Sequence, residues 1–134
     1  MTTKRQTTQK AAILRAFELD DRPLSPQEVL DAARTDVPSL GVATVYRAIK
    51  QLLEEETIKS VGLPDGPPRY ELAGKAHHHH FQCRYCDKVY EIFACSGGIK
   101  PLTPEGFTLE DHEIMLYGRC ADCAHNVSSP PRAK

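Results

Sequence analysis

No apolar run in the 134 residues approaches the roughly 18 that a membrane span needs, so a membrane-spanning helix is not expected. No apolar stretch follows the charges of Lys4 and Arg5, so a secretory leader is not expected either. The expected location is the cytoplasm, with no membrane partner. Charge of one sign is not in excess: 17 basic side chains stand against 18 acidic ones. That balance excludes a global pull toward nucleic acid, and any DNA contact must come from a local surface. Internal repeats are missing apart from one pair of matched cysteine motifs, and so is the HExxH signature of zinc hydrolases. With 40% hydrophobic and 26% charged residues the composition is that of a globular chain, which excludes disorder as the main theme. The length suits one ordinary domain or two very small ones.

Four of the five cysteines form two pairs at equal spacing, Cys83/Cys86 and Cys120/Cys123, with Cys95 left over. In a reducing compartment two converging CxxC motifs bring four thiolates to tetrahedral reach, which Zn(II) holds at about 2.3 Å per bond. A redox CxxC and surface thiols are the alternatives. Two matched pairs in a chain without a secretory leader favour structural zinc.

Three helices are expected in the first 60 residues. In Thr8 to Leu19, Ala12, Ile13 and Phe17 fall near helical spacing. Ser25-Pro26-Gln27-Glu28 opens the second: Ser25 caps backbone N–H groups, Pro26 suits the first helical position and Glu28 completes a capping box. The third runs from about Val42 to Glu55, with Val45, Ile49, Leu52 and Leu53 on one side and Thr44, Tyr46, Arg47 and Lys50 largely elsewhere. Ile58-Lys59-Ser60-Val61 and Arg69-Tyr70-Glu71-Leu72, around a Pro/Gly turn, read as a hairpin. Helices closed by a hairpin suggest a winged helix. The small residues of 74–76 read as a hinge between a DNA-binding domain (1–73) and a metal-binding domain (77–123), with a polar, frayed tail at 124–134. In the second domain the segments around His80 to Cys83, Val89 to Phe93, and Phe107 to Tyr117 read as three strands. So small a unit buries too little to persist alone, making zinc and self-association its expected supplements. The fold class is α+β, a winged helix-turn-helix followed by a small α/β domain.

His77-His78-His79-His80 lies three residues before the first CxxC. On an extended segment successive side chains point to opposite faces, so His78 and His80 project one way and His77 and His79 the other. With the Cys83 to Cys86 knuckle read as the turn of a hairpin, residue 91 is expected opposite residue 80, setting Glu91 across from His80. Glu71, at the end of the wing, can close a site of Glu71, His78, His80 and Glu91 that bridges the lobes and acts as a switch. On the other face His77 and His79 have His112 and Cys95 as completions, with Glu105 an alternative to Cys95. The plainer reading leaves some histidines solvated and Cys95 a buried small hydrophobe.

The motifs Ala43-Thr44-Val45-Tyr46-Arg47, Arg69-Tyr70-Glu71-Leu72, HHHHFQCRYC and Tyr117-Gly118-Arg119-Cys120-Ala121-Asp122-Cys123 resemble those of the ferric uptake regulator family of bacterial metal-dependent repressors. The resemblance runs from about Thr7 to Cys123. It implies a homodimer with an N-terminal winged helix and a C-terminal α/β dimerisation domain, in which metal in the hinge site favours the operator-binding form. By motif, Cys83, Cys86, Cys120 and Cys123 match the structural zinc site; Glu71, His78, His80 and Glu91 match the hinge sensor; His77, His79 and His112 match a third site. Members usually complete that third site from an acidic residue on a helix after the second strand. Here Cys95-Ser96-Gly97-Gly98 and two prolines predict that helix to be shortened or lost. Many members also carry a histidine just before the second helix, which Asp21 to Ser25 lacks. A peroxide sensor of the family oxidises such a histidine and carries Asp where Glu91 stands, so both departures weaken that reading.

For DNA, the Thr44-Val45-Tyr46-Arg47 helix resembles the recognition element, with Tyr46 set for a thymine methyl and Arg47 for phosphate or guanine. Tyr46 in the core is the alternative, but Val45 and Ile49 already supply the apolar side. Lys4 and Arg5, in a flexible arm, can reach a minor groove or phosphates. Dimer symmetry predicts a palindromic double-stranded operator. Nitrogen and oxygen ligands at the hinge suit Fe(II), Mn(II) or Zn(II), while Cys95 as a thiolate in the second site tilts the choice to Zn(II). The expectation is a zinc-responsive repressor, not an enzyme, with no small organic substrate; an iron-responsive repressor is the alternative. Two other classes differ from these: a zinc hydrolase with Glu71 or Glu91 as base, and a metal-storage or zinc-buffering protein, which would lose nothing on replacing Tyr46 and Arg47 by alanine.

Overall fold

The computed structural model describes residues 2–64, 66–94 and 99–124, and the fold divides into two units, Met1–Gly74 and Lys75–Lys134. Of the expected tail at 124–134, Ala124 instead closes a short helix, and 125–134 lies outside the described residues. Among those described, no helix is long and apolar enough to cross a membrane.

In the first unit α1 spans Thr2–Leu19 and buries Ala12, Ile13, Ala16 and Phe17 as one stripe. It begins at Thr2, not Thr8, so Lys4 and Arg5 belong to a helix and not to a flexible arm. The physical reason is that Lys4, Arg5 and Gln6 favour helix and no glycine or proline interrupts them. The side chains of Lys4 and Arg5 lie outside the described part. Helix α2 (Pro26–Ala33) opens on the expected capping box. The Glu28 N–H donates to Ser25 Oγ at 3.1 Å, and the Ser25 N–H donates to Glu28 Oε1 at 3.0 Å. Helix α3 (Val42–Glu54) buries Val45, Ala48, Ile49 and Leu52, with Leu53 packed partly against the same core.

Past α3, Glu56 takes a left-handed φ of 59°, and the N–H groups of Glu56 and Thr57 donate to the carbonyls of Leu53 and Leu52. This helix stop is usually made by glycine, and it turns the chain sharply into a hairpin. The hairpin pairs β1 (Ile58–Leu63) with β2 (Gly66–Leu72), Ile58 opposite Leu72 and Lys59 opposite Glu71. Two backbone bonds join Tyr70 to Leu24, in the loop before α2, and fasten the wing to the helices. Phe17, Ile13, Leu24, Leu40, Val45, Leu52 and Ile58 meet in one core, where each large apolar side chain contributes about 1.5–3 kcal/mol. The unit is a winged helix.

The second unit is built on a three-stranded sheet in the order β4-β3-β5, with β3 at His79–Cys83, β4 at Val89–Ile92 and β5 at Met115–Gly118. β3 and β4 are antiparallel around the first CxxC, with His80 opposite Glu91; the pairing centres between Tyr85 and Cys86, one residue past the middle of the Cys83 to Cys86 knuckle, whose own symmetry would have set Val89 there; β3 and β5 run parallel. The third strand is much shorter than the expected Phe107 to Tyr117. Phe107 and Leu109 alternate with polar residues yet are both exposed, and β3 offers β5 only four pairing positions. An alternating pattern becomes a strand only where a neighbour supplies hydrogen bonds and a face to cover. Gly118 favours close approach, because a Cβ there would lie 3.1 Å from the ring of Phe81 and the ring would have to give way slightly. Between β4 and β5 the described residues hold a 3-10 turn, Lys100–Leu102; residues 95–98, on which the expectation of a shortened or lost helix falls, lie outside the described residues, and α4 (Ala121–Ala124) carries the second CxxC.

Candidate functional site

The β3–β4 turn holds Cys83 and Cys86, and the chain leaving β5 brings Cys120 and Cys123 against them. Their four Sγ atoms lie within 4.8 Å of one another, and Cys86 Sγ is 3.7 Å from Cys120 Sγ. A tetrahedron of four sulfurs at about 2.3 Å from zinc has edges of about 3.8 Å, so the donors fit that ion. Backbone N–H groups of Tyr85, Cys86 and Cys120 point at Cys83 Sγ from 3.4, 3.5 and 3.4 Å. Burial pushes the Cys83 thiol up, but those N–H groups, with the Cys86 thiol, outweigh it and bring the pKa down to about 6. Cys120 is also lowered: burial raises it, and the Cys123 N–H and the side chains of Tyr90 and Cys123 prevail. Burial raises Cys86, and burial together with the sulfurs of Cys120, Cys83 and Cys86 pushes Cys123 up to about 12. The shifts thus divide two and two, Cys83 and Cys120 down and Cys86 and Cys123 up, and a cation among the four sulfurs would favour the thiolate form of all of them.

The neighbouring histidines separate onto two faces as the alternation requires. On one face His77 Nε2 lies 3.1 Å from His79 Nε2, and both rings have centroids 4.9 Å from that of His112. Burial, then the charges of His77 and His112, lower the pKa of His79. Its ring therefore stays neutral, the form that ligates metal. Cys95, expected to complete this set, lies outside the described residues, and Glu105 is exposed and stands apart from the three imidazoles. On the other face the rings of His78 and His80 have centroids 4.9 Å apart. His78 Nδ1 donates to the carbonyl of Ala76 at 2.8 Å, which leaves Nε2 as its ligating atom. Glu91 stands across from His80, its side chain only 2% exposed, and its carboxylate accepts from the ammonium of Lys75. Glu71 is a buried residue of β2 in the first unit, opposite Lys59.

Lys75 was not anticipated, because a lysine in a small-residue segment reads as solvated. Also unforeseen is a buried ionic cluster within the winged helix. Glu28 accepts from Arg22 at 2.6 Å and from Arg69 of the wing at 3.3 Å. Its only sequence signal is the capping-box position of Glu28.

On α3, Tyr46 is 57% exposed and Val42 is exposed beside it. Arg47 and Lys50 also face solvent, and Arg47 donates to Thr44 Oγ1 at 3.1 Å. The helix therefore presents an apolar and cationic outer face while its inner face fills the core. That combination suits base-edge and phosphate contact in a major groove.

Comparison with known proteins gives one consistent result. The profile of the Ferric uptake regulator family matches residues 2–117. A ferric uptake regulation protein of Campylobacter upsaliensis is 31% identical over 127 residues, covering 90% of this chain and 81% of that protein. A zinc uptake regulation protein of Mycobacterium tuberculosis is 30% identical over 122 residues, covering 89% and 94%. Among solved structures, the ferric uptake regulator of Francisella tularensis with iron superposes with a TM-score of 0.67 at 30% identity, covering 87% of this chain and 91% of that one.

Proposed function

The chain belongs to the ferric uptake regulator family, whose members are metal-responsive transcription regulators rather than enzymes, and from that premise we propose that it is a zinc-responsive repressor that binds a palindromic double-stranded operator as a homodimer. One observation carries this reading: four consecutive histidines, directly before a four-thiol cluster, divide between two faces of one strand. One tetrapeptide can therefore serve two ion sites at once.

Cys83, Cys86, Cys120 and Cys123 hold structural zinc and pin β3, β4 and β5 together. Glu71, His78, His80 and Glu91 form the sensing site. Glu71 comes from the winged helix and the other three from the second unit, so a shared ion orients the two units for DNA. A dication there supplies a cross-link and neutralises the carboxylates; the residues do the rest. The Ala76 carbonyl orients His78, the strand ladder presents His80 beside Glu91, and Tyr46 and Arg47 with Thr44 read the groove. Lys4 and Arg5, as residues of α1, add phosphate contacts. His77, His79 and His112, completed by Cys95, make a second regulatory site. Three imidazoles and a thiolate are a softer, tetrahedral set, which is why zinc is preferred over iron or manganese.

The test is operator binding by the full-length protein, followed by fluorescence anisotropy under anaerobic conditions against buffered Zn(II) and buffered Fe(II). Half-saturation at a far lower free concentration of zinc is expected. A response to iron alone would instead establish an iron-responsive repressor. Equal repression by H78A/H80A and the parent would remove the sensing site from the scheme, and unaltered DNA binding by Y46A/R47A would point to a metal-buffering protein.

A further inference from the structure

We infer that Lys75 is a built-in competitor for the sensing site: its ammonium occupies the Glu91 carboxylate, must leave when a dication arrives, and so sets the affinity of that site. This rests on the reading of Glu91 as a sensing ligand.

Three observations carry the inference. First, Lys75 Nζ is bonded to Glu91 Oε1, and both side chains are nearly enclosed, at 13% and 2% exposure. A carboxylate that deep needs a cation, and an ammonium or a metal ion can each provide it. Second, Glu91 is the cross-strand partner of His80, whose ring adjoins that of His78, so the carboxylate that the lysine holds shares a sheet face with imidazoles that a metal would use. A dication on this carboxylate would lie within a few ångströms of the ammonium, and with little water to screen them the two cations repel. One must go. Third, Lys75 follows directly on Gly74, whose φ of 82° is a left-handed conformation natural to glycine, where the chain passes from one unit to the other. The latch tunes the sensor by reducing the fraction of molecules ready to accept metal.

The experiment uses the full-length protein with its most tightly held zinc retained, titrated with Zn(II) in competition with a chromophoric chelator. If the latched form holds nine-tenths of the ion-free population, K75M tightens binding by about tenfold, the reciprocal of the competent fraction. K75R, which keeps the charge, remains close to the parent. Independently, the parent is treated with an amine-acylating reagent and analysed by mass spectrometry. Lys75 should label slowly without added zinc and faster with it. The inference is overturned by an unchanged affinity in K75M, or by equal labelling of Lys75 in the two states. H78A/H80A separates the two ideas. If that variant binds as many ions as tightly as the parent, the sensing-site reading falls and the latch with it. If it loses an ion while K75M matches the parent, the latch alone falls.

Discussion

Glu28 on α2 accepts a hydrogen bond from Arg69 on the wing, 41 residues later, while its other oxygen holds Arg22 at 2.6 Å and its first also caps Ser25. One carboxylate thus joins the start of a helix, the loop before it and the hairpin. Replacing Glu28 by glutamine is expected to destabilise the protein by about 2 kcal/mol, the usual worth of charge-assisted bonds lost without leaving a void. The pH dependence has a definite sign. Burial raises the Glu28 pKa, but the Ser25 N–H and Arg22, then Arg69, overcome it and hold it below its ordinary 4.5. The stabilisation is therefore fully present above 4.5 and is lost as the pH falls through the lower folded value. Urea unfolding of parent and E28Q between about pH 3 and 7 should show the acid slope reduced in the variant. Parallel curves would contradict it.

Loss of one thiol should empty the four-cysteine cluster. In C86S the zinc content of purified protein is expected to fall by one ion per chain, and amide exchange in β3 and β4 should speed up greatly. Structural zinc in small domains contributes on the order of 10 kcal/mol, more than so short a sheet can replace. Acidification acts in the same direction. Zinc binding must displace the protons of all four thiols, so zinc retention in the parent should fail on going from neutral to acid and not the reverse. Atomic absorption after dialysis at graded pH checks this.

Tyr46 and Arg47 are the clearest case of surface residues whose removal should affect binding alone. Because Tyr46 is more than half exposed and Arg47 faces solvent, Y46A and R47A should each leave the melting temperature nearly unchanged. Each should weaken operator binding by about 1–3 kcal/mol, and R47A should also flatten the salt dependence by about one ion if its contact is a phosphate. Anisotropy titrations at several salt concentrations, run beside thermal melts, distinguish recognition from folding.

Much of this was legible because it is governed by local rules. Ser-Pro-Gln-Glu at 25–28 specifies a capping box, and the knuckle at Cys83 to Cys86 marks a hairpin turn, although the pairing of His80 with Glu91 depends on the turn centring one residue past the middle of the knuckle. Strand alternation divides the four histidines without reference to the rest of the chain. Features that depend on neighbours were not legible. The alternation from Phe107 to Leu109 mimics a strand, but β3 has no length left to pair with it. The first turns of α1 are hidden from the sequence because their polar residues do not show the helical period that apolar ones reveal. Lys75 is a partner of Glu91 only because the fold encloses both.

The parallel run of β3 and β5 gives the second unit a mechanical property. Each strand has a histidine at or before its leading end, His79 and His112, and a cysteine at or beyond its trailing end, Cys83 and Cys120. Thiols therefore gather at one extremity of the strand pair and imidazoles at the other, like rivets through both ends of two adjoining rails. Sliding one rail by a single residue would misalign the donors at both ends together, so an ion bound at either end is expected to make the other easier to fill.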